Sequence, residues 1–218
     1  KNYFALDKWI NSTLMNSFAL IEKLFPNNFL NILKLSSHYF FIHNSSDRFS
    51  SASSEKIPGI IYLPYINNID HLAECIIHEN LHQLLFRLEK IINIYKDGQN
   101  IEKYWSPWRD DPRPLRMIMH GSFVFAGVAE FWERKVENND NFENLYQFYF
   151  RVKQVEDGLK VLDKHANYSS GGKTLHRKVF ESINNFEFDF VPKKIRKKAN
   201  QILNLQRKKI DNEHFIGF

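Results

Sequence analysis

One cysteine, Cys75, stands among 218 residues, so no intrachain disulfide can form and a reducing compartment is the simpler setting. Long apolar runs are missing as well. Nothing approaches the roughly 18 consecutive apolar residues of a membrane-spanning helix, so no membrane is expected as a partner. The first thirty residues lack the basic-then-apolar pattern of a secretory signal. These absences predict a cytoplasmic protein, and no internal repeat is present. Acid is missing from residues 193 to 209, which hold Lys193, Lys194, Arg196, Lys197, Lys198, Arg207, Lys208 and Lys209. The net charge of +5 is therefore a property of the tail, and the remainder of the chain is net acidic.

What is present is an ordinary globular composition, 25% charged and 15% aromatic with 20 Phe, which implies an aromatic-heavy core rather than a disordered chain. The length suits one core, and the chain reads as a single domain over residues 1–218. The expected fold is mainly α, with a small β element near residues 39–63. Helical spacing of Trp9, Ile10, Leu14, Phe18, Ile21 and Leu24 predicts a helix over residues 3–25, and Pro26 ends it. Tyr39–Ile42 and Ile60–Leu63 read as short strands, with a Ser-rich solvated loop, Asn44–Glu55, between them. Helices follow at about Asp70–Tyr95, with Asp70 as N-cap, and from Pro114 to about Val136. Further helical patterns cover residues 142–165 and 175–189, separated by a flexible Ser169–Gly172 stretch. A basic terminal helix over about 191–210 carries the stripe Ile195, Ala199, Ile202, Leu205.

The helix from Asp70 contains His78-Glu79-Asn80-Leu81-His82, an HExxH motif. Residues four apart share a helix face, so His78 and His82 aim at one point while Glu79 turns about 100° away. Two imidazoles are part of a metal site, and a third ligand has to come from elsewhere. Glu79 fits two roles: general base toward a zinc-bound water in a peptidase, or an orienting residue in another class of metal site.

Three further blocks are distinctive: Tyr104-Trp105-Ser106-Pro107-Trp108-Arg109-Asp110-Asp111-Pro112-Arg113-Pro114-Leu115, the pair His120-Gly121, and Val128-Ala129-Glu130-Phe131-Trp132. Together with HExxH they resemble the bacterial HExxH peptide-modification family, associated with ribosomally made, post-translationally modified peptides. Some of its members are Fe(II)- and 2-oxoglutarate-dependent peptide β-hydroxylases. The resemblance spans roughly residues 60–135. It implies Fe(II), 2-oxoglutarate and O2 as reactants, a precursor peptide as substrate, other peptide-maturation enzymes as partners and no nucleic acid. It also implies His78, His82 and His120 as metal ligands, Gly121 allowing close backbone approach at the third. Glu130 competes with His120, and the ten residues between them put the two about 80° apart on a helix, so one ion would not take both. A dicarboxylate cosubstrate needs a cationic anchor, for which Arg109 and Arg113 are the candidates and Arg116 a third.

Two other classes stay open. One is a zinc metallopeptidase, against which Gln83 stands where an apolar residue is usual after the second histidine. The other is a non-catalytic peptide-binding protein using Trp105, Trp108 and the basic tail. The tail itself reads as a solvated face or a dock for an acidic leader peptide; aromatics do not interleave with its charges, which disfavours nucleic acid.

Overall fold

A computed structural model describes residues 8–42, 51–96 and 102–214, in two compact units, Lys1–Leu88 and Glu89–Phe218. The fold is mainly α with a few short strands, as the periodicities predict. Among the described residues no helix is long and apolar enough to cross a membrane.

In the first unit a π-helical turn, Ile10–Leu14, runs straight into α1 (Met15–Leu24), followed by α2 (Phe29–Leu33), β1 (His38–Ile42), β2 (Ala52–Ser53), β3 (Ile60–Pro64) and α3 (Ile69–Leu88). Trp9 is buried and its indole N–H donates to the Ile66 carbonyl at 2.8 Å, while the Ser17 hydroxyl lies 3.0 Å from the Ile69 carbonyl. These bonds staple the first helix to the entry of α3. The sheet runs in the order β1-β3-β2, with β1 parallel and β2 antiparallel to β3. Strand alternation sends Ile61 and Leu63 inward, both fully buried. The β2–β3 hairpin turns at Gly59, whose φ of 83° is the left-handed region that glycine adopts without strain.

Helix α3 is capped by Asn68 rather than Asp70: the Asn68 side-chain oxygen accepts the His71 N–H at 3.0 Å. Its predicted extension to Tyr95 also fails. The helix stops at Leu88, because residues 94–96 are taken up in pairing with residues 167–169: the Lys96 N–H donates to Asn167 O at 2.9 Å and the Ser169 N–H to Ile94 O at 3.0 Å. Ile91, within the predicted extension, is accordingly 81% exposed. The Ser-rich stretch divides. Residues 43–50 lie outside the described residues, but Ala52–Ser53 is a strand of the sheet rather than solvated loop.

The second unit is built on α4 (Leu115–Asn138) and α5 (Phe142–His165), which pack along each other and are joined by three residues capped by Asn141. Phe131, Trp132, Phe148, Val128, Val152 and Leu162 form the centre of its core. Helices α6 (Ser170–Asn184) and α7 (Lys193–His214) cover α5. Ser169–Gly172, expected to be a flexible separator, is instead the capped start of α6, the Ser169 hydroxyl accepting the Gly172 N–H at 3.1 Å. On α7 the buried stripe is Ile195, Ala199 and Leu203; Ile202 is half-buried and Leu205 is 66% exposed, since strict four-residue spacing holds the contact face.

A two-strand ribbon, β4 (Lys103–Tyr104) with β5 (Arg113–Pro114), closes the proline-rich loop. The loop is ordered, as its residues predict. Gln154 donates to the Pro107 carbonyl at 2.8 Å, and the Trp108 ring lies in a notch made by two glycines of neighbouring helices. A Cβ at Gly121 or at Gly158 would fall 2.5 Å from that ring. Replacing a helical glycine by alanine ordinarily gains up to about 1 kcal/mol, but overpacking costs about 1–3 kcal/mol. At Gly121 the three nearest atoms all belong to the Trp108 ring, so Gly121→Ala is expected to lower the free energy of urea unfolding by about 1–2 kcal/mol. In a Trp108→Ala background the same change is expected to be neutral or stabilising, and equal losses in both backgrounds would refute the notch.

Candidate functional site

Helix α3 is buried on most of its circumference, and four of its buried residues are polar: Glu74, Glu79, Asn80 and Gln83. Buried polar groups are stable only when hydrogen-bonded. Asn80 donates to Ile76 O at 2.8 Å and accepts the Ser36 hydroxyl at 2.7 Å. The Gln83 side-chain oxygen accepts the Gly59 N–H at 2.9 Å. Glu79, 2% exposed, accepts the Ser51 hydroxyl on one carboxylate oxygen and the Ser53 hydroxyl on the other, each at 2.6 Å. The β2–β3 hairpin thus grips the stripe Glu79 and Gln83, each the residue that follows a motif histidine.

The adjacent stripe carries His78 and His82. Their ring centroids lie 4.8 Å apart with planes 71° to one another, and the His82 ring stacks on Phe86 at 5.9 Å. Both side chains are half-buried, hence reachable from solvent. His78 Nε2 lies 3.9 Å from the Glu79 carboxylate, too far for a hydrogen bond. Two imidazoles side by side on a rigid helix fit two positions of a transition-metal site. Among the described residues, no cluster of three or more His, Cys, Asp and Glu side chains is gathered for a metal ion. A cleft of about 680 Å³ in the same unit, lined by Thr13, Asn16, Lys23, Asn67 and Asp70 among others, contains none of the predicted site residues.

His120 belongs to the second unit, on α4, where it is fully buried. Its Nε2 lies 3.1 Å from a carboxylate oxygen of Glu89. Arg116, one turn earlier on α4, donates to the same carboxylate from Nε at 3.0 Å and from its terminal nitrogen at 2.6 Å. Burial pushes the Glu89 carboxyl up, but hydrogen bonds from His120 and Arg116 and their charges outweigh burial and hold it down at about 2. Burial likewise pushes the neighbouring Tyr95 hydroxyl up, and the Glu89 charge adds to that. Glu89 is the residue that sequence reasoning missed. Its partner lies 27 residues downstream, so no local pattern signals it. The close approach at Gly121 is by the Trp108 ring.

The two candidate anchors share one acid. Arg109 Nε lies 3.1 Å and an Arg113 terminal nitrogen 3.0 Å from Asp111, with side chains 57% and 31% exposed. Solvent-exposed pairs of this kind are worth only about 0.2–1 kcal/mol, so an incoming carboxylate can displace Asp111 at little cost. Glu130 is a surface residue paired with Arg134 at 2.7 Å on the same helix. Trp105 lies beneath the Arg207 guanidinium, 4.3 Å from its centre.

Glu89 ordinarily titrates near 4.5 and is held at about 2 in the fold, so its contribution to stability is complete above about pH 4.5 and lost as pH falls through about 2. Glu89→Gln is expected to flatten the dependence of the melting temperature on pH across that window; an unchanged acid limb would remove the assignment. Compared with family models and with curated proteins, the chain matches none, so the reading of the site rests on its residues and their geometry.

Proposed function

We propose that this protein is an Fe(II)- and 2-oxoglutarate-dependent oxygenase that hydroxylates a β-carbon in a ribosomally synthesised precursor peptide, acting in the cytoplasm alongside other peptide-maturation enzymes. His78 and His82 would hold the iron, which with 2-oxoglutarate and O2 supplies the oxidising power for C–H hydroxylation. The chain's own part is to fix the two imidazoles and keep Glu79 out of proton transfer.

The observation that carries this reading over hydrolysis is the state of Glu79. A peptidase general base has to accept a proton from metal-bound water. Here both carboxylate oxygens already accept serine hydroxyls at 2.6 Å, and the side chain is buried against β2. That is the arrangement of a positioning residue.

Anaerobic loading of the protein with Fe(II) followed by 2-oxoglutarate is expected to give a visible charge-transfer band, absent in His78→Ala and in His82→Ala. Glu79→Gln keeps an oxygen that can accept one serine hydroxyl, and it is expected to retain the band. Precursor peptide would then gain one oxygen by mass spectrometry. Tight zinc binding with cleavage of a generic peptide that Glu79→Gln abolishes would replace this reading by the peptidase one. Ser51→Ala with Ser53→Ala leaves a buried carboxylate unsatisfied and is expected to cost about 1–3 kcal/mol in urea unfolding.

A further inference from the structure

Helix α7 places most of its basic residues where no acidic side chain among the described residues pairs with them. Ile195, Ala199 and Leu203 are buried at four-residue spacing, with Val191 just before them, so one face of the helix is committed to the core and the opposite face is held outward. Two cations are drawn away from that outer face. Arg207 lies 3.3 Å from Asp157 and over the Trp105 ring, and Lys198 lies 5.1 Å from the centres of both the Phe142 and Tyr146 rings. Of the others, Lys193, Lys194, Lys197 and Lys208 are exposed and Arg196 is half-buried, and none of these is in an ion pair among the described residues.

This placement is unfavourable by itself. Lys193 and Lys197, four apart, and Lys194 and Lys197, three apart, are like-charge neighbours on the helix surface. The cluster also sits in the opening turns, the end at which the helix dipole disfavours cations, and no acidic residue occupies the first turn. An anionic partner would relieve both penalties at once.

The surroundings restrict what that partner is. The apolar face is already packed into the unit, so the helix cannot lie in a bilayer interface by burying it. Residues 193–208 contain no aromatic, and the rings they meet, Phe142, Tyr146 and Trp105, lie against Lys198 and Arg207 and not on the outer face, so that face itself carries no platform for stacking nucleobases. Leu205 is exposed on the same outward side, one turn before Lys208, and offers contact to an apolar residue among the acids. From Lys193 to Lys208 the face is about 22 Å long, matching about seven residues of extended chain or four turns of helix.

We infer that the outer face of α7 docks an acidic segment of the peptide substrate, remote from the residue to be modified, through Lys193, Lys194, Lys197 and Lys208 with Leu205. The inference rests on the peptide-substrate reading above but not on iron, so the two fail separately.

The test uses the full chain without metal and a fluorescein-labelled peptide of repeated Glu-Glu-Leu-Ala units, read by fluorescence anisotropy. Binding is expected at about 20 mM salt and is expected to weaken steadily toward about 200 mM, where charges about 8 Å apart are screened. Lys193→Glu, Lys194→Glu and Lys197→Glu together should weaken it about tenfold or more, the loss of several exposed ion pairs. Lys90→Glu should leave it unchanged. If the triple Glu protein loses its helical circular dichroism, the triple Lys→Gln protein decides, with an expected loss of about threefold or more. No binding by the native chain at low salt, equal affinity in the folded variants, or tighter binding of oligothymidine through the same lysines would each overturn the inference. Docking that persists in a chain unable to hydroxylate would count against the oxygenase reading alone. Full hydroxylation of precursor by the triple Glu protein would count against the docking alone.

Discussion

The grip of the β2–β3 hairpin on Glu79 and Gln83 is the constraint on which the histidine pair depends. An HExxH sequence puts two imidazoles on one face of a helix, but a helix can still rotate about its axis or slide against its neighbours. Here each histidine is followed by a buried polar side chain tied to the hairpin: Glu79 to Ser51 and Ser53, Gln83 to the backbone at Gly59. Leaving either group unpaired in the interior would cost more than the bonds contribute in place. Rotation of α3 would break all of them together, so the stripe carrying His78 and His82 is fixed by the stripe beside it.

The second unit uses the same principle with different groups. Trp108 fills the notch at Gly121 and Gly158, which holds the proline-rich loop on α4 and α5 through shape rather than charge. Charge is concentrated in one buried place, where Glu89 meets Arg116 and His120. Burying a carboxylate alone would drive it to take up a proton, and two donors from one helix face reverse that. On the loop itself Arg109 is exposed and Arg113 half-buried, and both pair with Asp111.

Much of this was legible from residue types. The helices were readable from apolar spacing, and the histidine pair from its four-residue interval. Gln83 stood out as a polar residue in an apolar helix, yet its partner, the Gly59 backbone, is 24 residues away, and no local pattern could name it. The same limit hid the link from Glu79 to a stretch that reads as solvated loop, and the link from Glu89 to His120. Boundaries erred where tertiary pairing overrode spacing, at Leu88 and at Ser169–Gly172. On α7, Leu203 and Leu205 are chemically alike, and only the packing against α5 decides which is buried. Arg109 and Arg113, the candidates to anchor a carboxylate, both pair with Asp111 on their own loop, a contact their sequence spacing alone does not announce.

The three histidines predicted to act together differ in what surrounds them, and the difference bears on what each can do. His120 is enclosed and has a carboxylate 3.1 Å away, so its ring is oriented by a strong partner whatever else it meets. His78 and His82 are half-exposed, with the nearest motif carboxylate at 3.9 Å and already engaged by two hydroxyls. On α3, Glu79 and Gln83 take the hydrogen bonds that fix the helix, and the histidines on the neighbouring stripe inherit its geometry. The ordering entropy of the pair is then lost once, in folding.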